Sequence, residues 1–165
     1  MIQPRLRRAT GGDVDGIERL VQAAFGKYVD RMGRPPSPML ADYAELLRTS
    51  RIWIIEDRQE MVGVLVTRAH ADHLLVDVIA VAPTAQGGGH GLALLDRAER
   101  DAREERLAEM RLCTNEAMTE NLEFYPRRGF HETGRGIQDG YHRVFFAKLL
   151  ENDGPAPHPS PTLKE

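Results

Sequence analysis

A glycine-rich turn between a strand-like and a helix-like segment constrains this chain more than any other feature. The apolar run 74–81 predicts a buried strand, and Gln86, three consecutive glycines and Gly91 follow it. An amphipathic pattern then predicts a helix over 91–106, with Leu92 on its apolar stripe. The first N–H groups of such a helix have no intrahelical partner and lie at its positive end. We therefore expect this turn to bind phosphate.

The glycine spacing argues against the two best-known phosphate loops. The Gly-Lys-Ser or Gly-Lys-Thr of a Walker A loop is missing. A dinucleotide fingerprint would need a third glycine where Leu92 or Leu94 stands. What remains is the pattern Gln86-x-x-Gly89-x-Gly91 directly after a strand.

Composition narrows the class of protein further. The 165 residues are enough for one domain, and the formal net charge of -3 lacks the basic excess typical of nucleic-acid binding. A lone cysteine, Cys113, cannot form an internal disulfide, and its apolar-alternating surroundings favour a packed thiol over a nucleophile. No apolar run approaches the length of a membrane span, so we expect a cytoplasmic protein that binds neither nucleic acid nor membrane.

The hydrophobic periodicity predicts a mixed α/β domain over residues 1–150 and a disordered, proline-rich tail over 151–165. Strands are predicted at 5–9, 52–56, 61–67, 74–81, 109–113, 130–134 and 141–149, and helices at 13–26, 39–47, 91–106 and 121–128. The proline-rich segment 28–38 is expected to be a stiff loop, and Leu40 is expected to face inward. The glycine-rich segment 134–140 is expected to connect the last two strands.

The turn at Gln86, Gly89 and Gly91 resembles the acetyl-CoA-binding signature of the GNAT superfamily of N-acetyltransferases. That signature is Arg or Gln, two residues, Gly, one residue, and Gly or Ala, after a strand. A second motif follows one strand later, because the segment 121–130 is similar to the Asn…Tyr…Gly-Phe segment of the family. The order of elements over 5–149 also matches.

The resemblance implies a mostly antiparallel central sheet that is splayed at the cofactor site and flanked by helices. It implies acetyl-CoA as the co-substrate, with the backbone of Ile79 and Val81 pairing with the pantetheine arm. The N–H groups from Gly87 to Gly91 would hold the pyrophosphate with help from Gln86. The implied cofactor-binding residues are Ile79, Ala80, Val81, Gln86, Gly87, Gly88, Gly89, His90, Gly91, Leu92 and Asn121.

The reaction that the resemblance implies is direct attack of a neutral amine on the acetyl carbonyl. A main-chain N–H of the strand 79–81 would stabilise the oxyanion. Tyr125 would act as the general acid that protonates the thiolate leaving group. The alternative for Tyr125 is simple packing beside Phe124.

The general base is open between two carboxylates. Asp77 is the one charged residue of the run 74–81, where burial would raise its pKa unless it is paired. Strand alternation predicts that Asp77 faces the same side as Ile79 and Val81. The alternatives are that Asp77 forms an ion pair or lies at a strand edge, or that Glu56 is the base.

The acceptor is expected to contact the segment 28–43, through Tyr28, Arg31 and Tyr43, in the manner of a substrate lid. The alternative is a plain connector. His70 and His73 fall in a probable strand connection, so we expect solvated residues and no bound metal.

The acceptor itself stays open between small-molecule and peptide amines. Exposed edge strands near the C-terminus favour a homodimer. Three alternatives to an acetyltransferase stay open as well. They are a transferase for a longer acyl-CoA, a non-catalytic acyl-CoA-binding sensor or interaction module, and a nucleotide-binding domain of another type.

Overall fold

The computed structural model describes residues 3–151, so the predicted tail lies outside the described residues. The strands are β1 (Arg5–Arg8), β2 (Arg51–Asp57), β3 (Glu60–Ala69), β4 (Leu74–Val81), β5 (Glu109–Asn115), β6 (His131–Gln138) and β7 (Tyr141–Leu149). The helices are α1 (Val14–Phe25), α2 (Tyr28–Met32), α3 (Tyr43–Thr49), α4 (His90–Glu104) and α5 (Thr119–Phe124). No helix among these residues is long and apolar enough to cross a membrane.

All seven strands form one sheet in the order β1-β2-β3-β4-β5-β7-β6. Every neighbouring pair is antiparallel except β4 and β5, which are parallel. The predicted mixed α/β fold with a mostly antiparallel sheet is therefore confirmed.

The parallel pair β4–β5 is splayed. Its register contains only Leu74 opposite Met110 and Leu75 opposite Arg111. Beyond these positions β4 stays paired with β3 as far as Val81, whereas β5 stays paired with β7. The two strands therefore diverge and leave a gap in the middle of the sheet, beside the second half of β4.

Helices cover both faces of the sheet, and β4 contributes to both cores. Leu74 and Val76 pack in the core that contains the α4 residues Leu94, Leu95 and Ala98. Val78 and Ala80, in contrast, pack in the core beneath α1 and α3, which is listed here by its helical members Ile17, Val21 and Tyr43. The change of side occurs at Asp77, where a β-bulge shifts the register against β3.

Asp101, on α4, attaches this helix to the sheet. Its carboxylate is buried and accepts a hydrogen bond from Trp53 Nε1 at 2.8 Å, and it also pairs with Arg97 and Arg51. A buried carboxylate with these partners is satisfied rather than strained. The contact holds the helix whose first turn follows the glycine-rich segment.

The structure differs from the sequence prediction at five places outside the strands of the central core, the first being that the helix predicted over 39–47 runs over Tyr43–Thr49. Residues 28–32 form the short helix α2 rather than loop, and Leu40 is exposed because it ends a single 3-10 turn. Leu92, in the first turn of α4, is also exposed rather than on the buried stripe. Most of the segment 134–140 is strand β6, and only Asp139 and Gly140 turn into β7.

Candidate active site

The glycine-rich turn leads from β4 into the first residue of α4. Gly87 and Gly89 have φ angles of +85° and +83°, which other residues adopt only at a cost. Gly89 caps α4, whose first residue is His90. At Gly91 a Cβ would lie 3.6 Å from Phe124 Cζ, so the helix start lies against α5. The N–H groups of this first turn have no partner within the helix. The three residues before the helix, 87–89, are glycines, so they carry no side chains.

A cavity of about 520 Å³ opens beside this turn, and we call it the cofactor cavity. It is bounded by the end of β4, the glycine-rich turn, α5 and the Phe25–Tyr28 region. Lys27 and Arg128 place two positive charges on its wall. The predicted cofactor-binding residues that line it are Ile79, Ala80, Val81, Gln86, Gly87, Gly89, His90, Gly91 and Asn121, whereas Gly88 and Leu92 are not among its lining residues.

The second half of β4 faces the cavity with backbone groups that no neighbouring strand pairs with on that side. Ala82 N donates to Val62 O at 2.8 Å, which directs the even-numbered residues of this half of β4 toward β3. Because backbone groups alternate along a strand, those of Ile79 and Val81 point into the gap between β4 and β5. The side chain of Gln86 lies on the same side, with Nε2 3.5 Å from Val81 O.

Tyr125 stands at the end of α5, beside the gap. Its ring packs edge-on against Phe124 and Phe130, with centroid distances of 5.3 and 5.7 Å, and tilts against Phe146. Only 5% of the residue is exposed. Burial raises the pKa of the Tyr125 hydroxyl above its ordinary value, with Tyr28 and Cys113 adding to the effect. The phenol is thus packed and also lines the cofactor cavity.

A second cavity of about 720 Å³ lies on the other side of the gap, and we call it the acceptor cavity. Its walls come from β4, β5 and the β6–β7 hairpin, and residues 36–38 cover part of it. Both cavities are lined by Phe25, Ile79, Asn121 and Tyr125. The two spaces therefore meet where β4 diverges from β5.

The loop between α2 and α3 is held over the acceptor cavity by the β6–β7 hairpin. Tyr141 Oη donates to Pro35 O at 2.6 Å, and the Arg34 guanidinium lies 3.7 Å from the centre of the Tyr141 ring. At Gly140 a Cβ would lie 2.7 Å from Arg34 Nη1, and its φ of +79° also favours glycine. The sequence did not indicate Tyr141, because its partner is 106 residues away.

The three residues predicted to bind the acceptor lie in different places. Tyr28 lines the cofactor cavity, and its hydroxyl donates to Glu120 Oε2 at 2.9 Å. Arg31 pairs with the same carboxylate at 2.6 Å. Tyr43 is fully buried and lines neither cavity, but its hydroxyl donates to Pro38 O at 2.7 Å. Tyr43 therefore reaches the acceptor cavity only through the position of Pro38.

Asp77 lines the acceptor cavity, but two expectations about it are wrong. Its side chain is 28% exposed rather than buried, and it pairs with Arg68 at 2.8 Å. The bulge also breaks the strand alternation, because Asp77 lies close enough to Tyr43 to raise the pKa of that hydroxyl, after the larger effect of burial. Asp77 is therefore on the α1–α3 side of the sheet, whereas Ile79 and Val81 pack against the α4 side.

The other polar groups considered from the sequence are engaged elsewhere. Glu56 accepts from Arg7 at 2.6 Å and lines neither cavity. His70 and His73 stack at 4.6 Å, and His73 bonds to Asp72. Within residues 3–151, no three His, Cys, Asp or Glu side chains cluster closely enough to hold a metal ion.

Comparison with known proteins identifies the class of this fold and site. The profile of the acetyltransferase (GNAT) domain matches residues 48–132, about half of the chain. The chain therefore belongs to the GNAT acetyltransferase family, a family of acyl-CoA-dependent N-acetyltransferases. No curated protein matches its sequence.

Solved structures with the same fold cover nearly the whole chain. The ribosomal-protein-S18-alanine N-acetyltransferase of Escherichia coli aligns with a TM-score of 0.75 and 18% identity, over 92% of this chain and 97% of its own. The PaiA N-acetyltransferase of Thermoplasma acidophilum, in complex with coenzyme A, gives 0.75 and 13%, over 90% and 100%. A GNAT acetyltransferase of Elizabethkingia anophelis with acetyl-CoA bound gives 0.64 and 17%, over 89% and 98%.

Proposed function

We propose that this protein transfers the acetyl group of acetyl-CoA to the amine of an acceptor by direct attack. The observation that carries the proposal is the junction of two cavities at Ile79 and Tyr125, beside unpaired backbone groups of β4. A donor in one cavity and an acceptor in the other would meet there without a covalent enzyme intermediate.

The residues of the cofactor cavity fit the chemical groups of acetyl-CoA. The first turn of α4 and the glycines before it offer N–H donors to a pyrophosphate, and Lys27 and Arg128 offset its charge. The backbone of Ile79 and Val81 can pair with the amides of a pantetheine arm as a neighbouring strand would. Asn121, whose Nδ2 donates to Thr114 Oγ1 at 3.0 Å, is held at the inner end of this path.

The proposed reaction begins when the amine nitrogen attacks the carbonyl carbon of the thioester. A main-chain N–H of the strand 79–81 donates to the oxyanion that develops. The carbon–sulfur bond then breaks, and Tyr125 donates its hydroxyl proton to the thiolate. The Tyr125 hydroxyl is protonated at neutral pH, because an ordinary phenol has a pKa of about 10 and burial raises the pKa of Tyr125 further, so that the proton is present in every cycle.

The attacking amine must lose two protons over the reaction if it begins as an ammonium ion. We propose that Asp77 accepts one of them through water, since it is the carboxylate of β4 that lines the acceptor cavity. Because Asp77 is engaged by Arg68 at 2.8 Å, we propose transfer through a water molecule rather than direct contact with the amine. The second proton restores the Tyr125 hydroxyl, so that the cycle balances.

The test measures release of free thiol from acetyl-CoA with a panel of amines, for the wild-type chain and Tyr125→Phe. We expect amine-dependent thiol release, and a kcat about 100-fold lower in Tyr125→Phe. The KM for acetyl-CoA should change little, because the ring and its packing remain. A thermal shift by acetyl-CoA checks that the variant is folded and binds the donor.

Two results would contradict the proposal. Unchanged turnover of Tyr125→Phe at saturating substrates would remove Tyr125 as the general acid. Binding of acetyl-CoA without thiol release for any amine would instead favour the acyl-CoA-binding sensor. Faster thiol release from a longer acyl-CoA than from acetyl-CoA would correct the donor.

A further inference from the structure

Most charged side chains on the wall of the acceptor cavity have a partner of opposite charge. Arg111 pairs with Glu109 at 2.9 Å, and Asp77 pairs with Arg68 at 2.8 Å. Arg143, on β7, forms no ion pair with any residue from 3 to 151. Arg143 is therefore a positive charge on the wall of the acceptor cavity that has no ion-pair partner among residues 3–151.

The surroundings of Arg143 do not replace a counter-ion. Nη1 donates to Cys113 Sγ at 3.2 Å, and a neutral thiol is a weak acceptor. Nε is buried and has no hydrogen-bond partner. The guanidinium carbon lies 5.3 Å from the centre of the Tyr141 ring, which supplies a cation–π contact but no anion. The half-buried guanidinium therefore has no charged partner among residues 3–151, and its fork of donors can bind an anion.

A second arginine strengthens the positive potential at this end of the cavity. Arg34 contacts the same Tyr141 ring and likewise forms no ion pair within the described part of the chain. It donates only to the main-chain oxygen of Asp139, at 3.5 Å. The Asp139 carboxylate also lines the cavity, but it belongs to the exposed hairpin turn and forms no ion pair with Arg34 or Arg143.

Arg143 is also close to the junction of the two cavities. Cys113, which accepts from Arg143, is near enough to Tyr125 to affect its hydroxyl. Both Cys113 and Arg143 line the acceptor cavity, on the paired strands β5 and β7. One small molecule can therefore reach the guanidinium with one end and the thioester with the other.

We propose that Arg143 binds an anionic group of the acceptor, which is a small amine that carries a carboxylate or a phosphate. This inference rests on the proposed acetyltransferase function. The inference assigns the acceptor, which the sequence left open, to the class of anionic amines. It also assigns the selection of that class to Arg143.

The experiment compares acidic amines with neutral amines of the same length. One arm uses ω-amino carboxylates from glycine to 6-aminohexanoate against their carboxamides, and another uses an aminoalkyl phosphate against the corresponding amino alcohol. For the full wild-type chain, we expect kcat/KM to be at least about tenfold higher for the acidic member of one arm. The arm with the larger ratio distinguishes carboxylate from phosphate.

Substitution of Arg143 then tests the assignment. Arg143→Gln should remove most of the preference for the acidic amine, because its KM for the acidic amine should rise at least about tenfold more than its KM for the matched neutral amine. Arg143→Lys, which keeps the charge but not the fork of donors, should retain part of the preference. The control is Arg135→Gln on β6, an exposed arginine that does not line the cavity.

The outcomes separate this inference from the proposed function. Acetylation of neutral amines without preference for acidic ones would overturn the role of Arg143 and leave the acetyltransferase in place. An equal loss for both amine classes in Arg143→Gln and Arg143→Lys, with the acetyl-CoA thermal shift intact, would assign Arg143 to the structure of the wall only. Absence of thiol release with every amine would overturn both proposals.

Discussion

The cofactor cavity and the acceptor cavity share a boundary but are built in different ways. The cofactor cavity is lined along one side by a single continuous stretch, residues 79–91, in which glycines leave main-chain groups uncovered. The acceptor cavity is lined by side chains from the end of α1, residues 36–38, the strands β4 and β5, and the β6–β7 hairpin. A site made of backbone needs particular φ angles and small residues, whereas a site made of side chains depends on which distant segments come together.

This difference explains why the sequence indicates the ligand of the cofactor cavity but not the ligand of the acceptor cavity. Backbone amides and glycines are restricted by local geometry, and so they leave a short pattern in the sequence. Side chains such as Arg143 and Tyr141 are ordinary strand residues until the hairpin folds onto the loop at Pro35. The donor is therefore indicated by a motif, and the acceptor only by a three-dimensional arrangement of charges.

The largest expected effect on the affinity of either cavity for its substrate comes from changing the backbone of the cofactor turn. Gly89→Val places a β-branched residue at a φ of +83°, which costs about 1–2 kcal/mol and displaces the N–H groups of the first turn of α4. We expect the KM for acetyl-CoA to rise about 10–100-fold, with the acceptor KM unchanged. Steady-state kinetics with each substrate varied in turn measures both constants.

The matched control for the cofactor turn is Gly134→Val on β6, where a Cβ meets nothing within 4 Å. A valine is compatible with an exposed strand, so neither KM should change. If Gly89→Val raised the acceptor KM as much as the acetyl-CoA KM, the assignment of acetyl-CoA to one cavity and the acceptor to the other would be wrong.

The strands of the central core were predictable, because their alternation and apolar content are local properties. β4 and β7 run over the residues that the sequence predicted, Leu74–Val81 and Tyr141–Leu149. The glycine-rich turn was also found, since positive φ angles at Gly87 and Gly89 require that residue type. Tyr125 was placed beside the cofactor turn by its motif, and its role as acid stays a prediction.

The features that escaped prediction depend on tertiary structure. A bulge at Asp77 changes which side of the sheet its side chain faces. The apolar run 74–81 contains no sequence signal that predicts this bulge. The helix α2 forms in a proline-rich neighbourhood because Tyr28 and Arg31 both bind Glu120, which lies 92 and 89 residues further along the chain. The edge strand β6 was partly mistaken for a connection, since its glycines weaken the strand pattern.

A smaller effect is expected from two buried tyrosines that border different cavities and each donate one hydrogen bond to a distant segment. Tyr141→Phe removes the hydrogen bond to Pro35 O, worth about 1 kcal/mol, and loosens the loop over the acceptor cavity. We expect the acceptor KM to rise about fivefold and the acetyl-CoA KM to stay constant.

Tyr28→Phe is the counterpart on the cofactor side, because it removes the bond to Glu120. Here the acetyl-CoA KM should rise by a similar factor while the acceptor KM stays constant. The pair of variants shares one chemical change, so any difference between them reflects position. Parallel changes of both constants in both variants would mean that the cavities behave as one site.

The smallest effect on rate, and the most specific, concerns the proton relay through Asp77. Asp77→Asn removes the proton acceptor, so the reaction should depend on amine that is already neutral in solution. Because free amines become neutral only at alkaline pH, we expect the pH–rate profile to move to higher pH, with a rate lower by severalfold near neutrality. Loss of the exposed Arg68 pair should cost no more than about 1 kcal/mol of stability, so the variant is expected to fold.

The control variant Arg68→Gln separates the role of Asp77 as proton acceptor from its role as ion-pair partner. It breaks the same ion pair but keeps the carboxylate, so the pH–rate profile of Arg68→Gln should not move to higher pH. An unshifted profile in Asp77→Asn would exclude Asp77 as the base and leave Asp77 as an ion-pair partner on the acceptor wall.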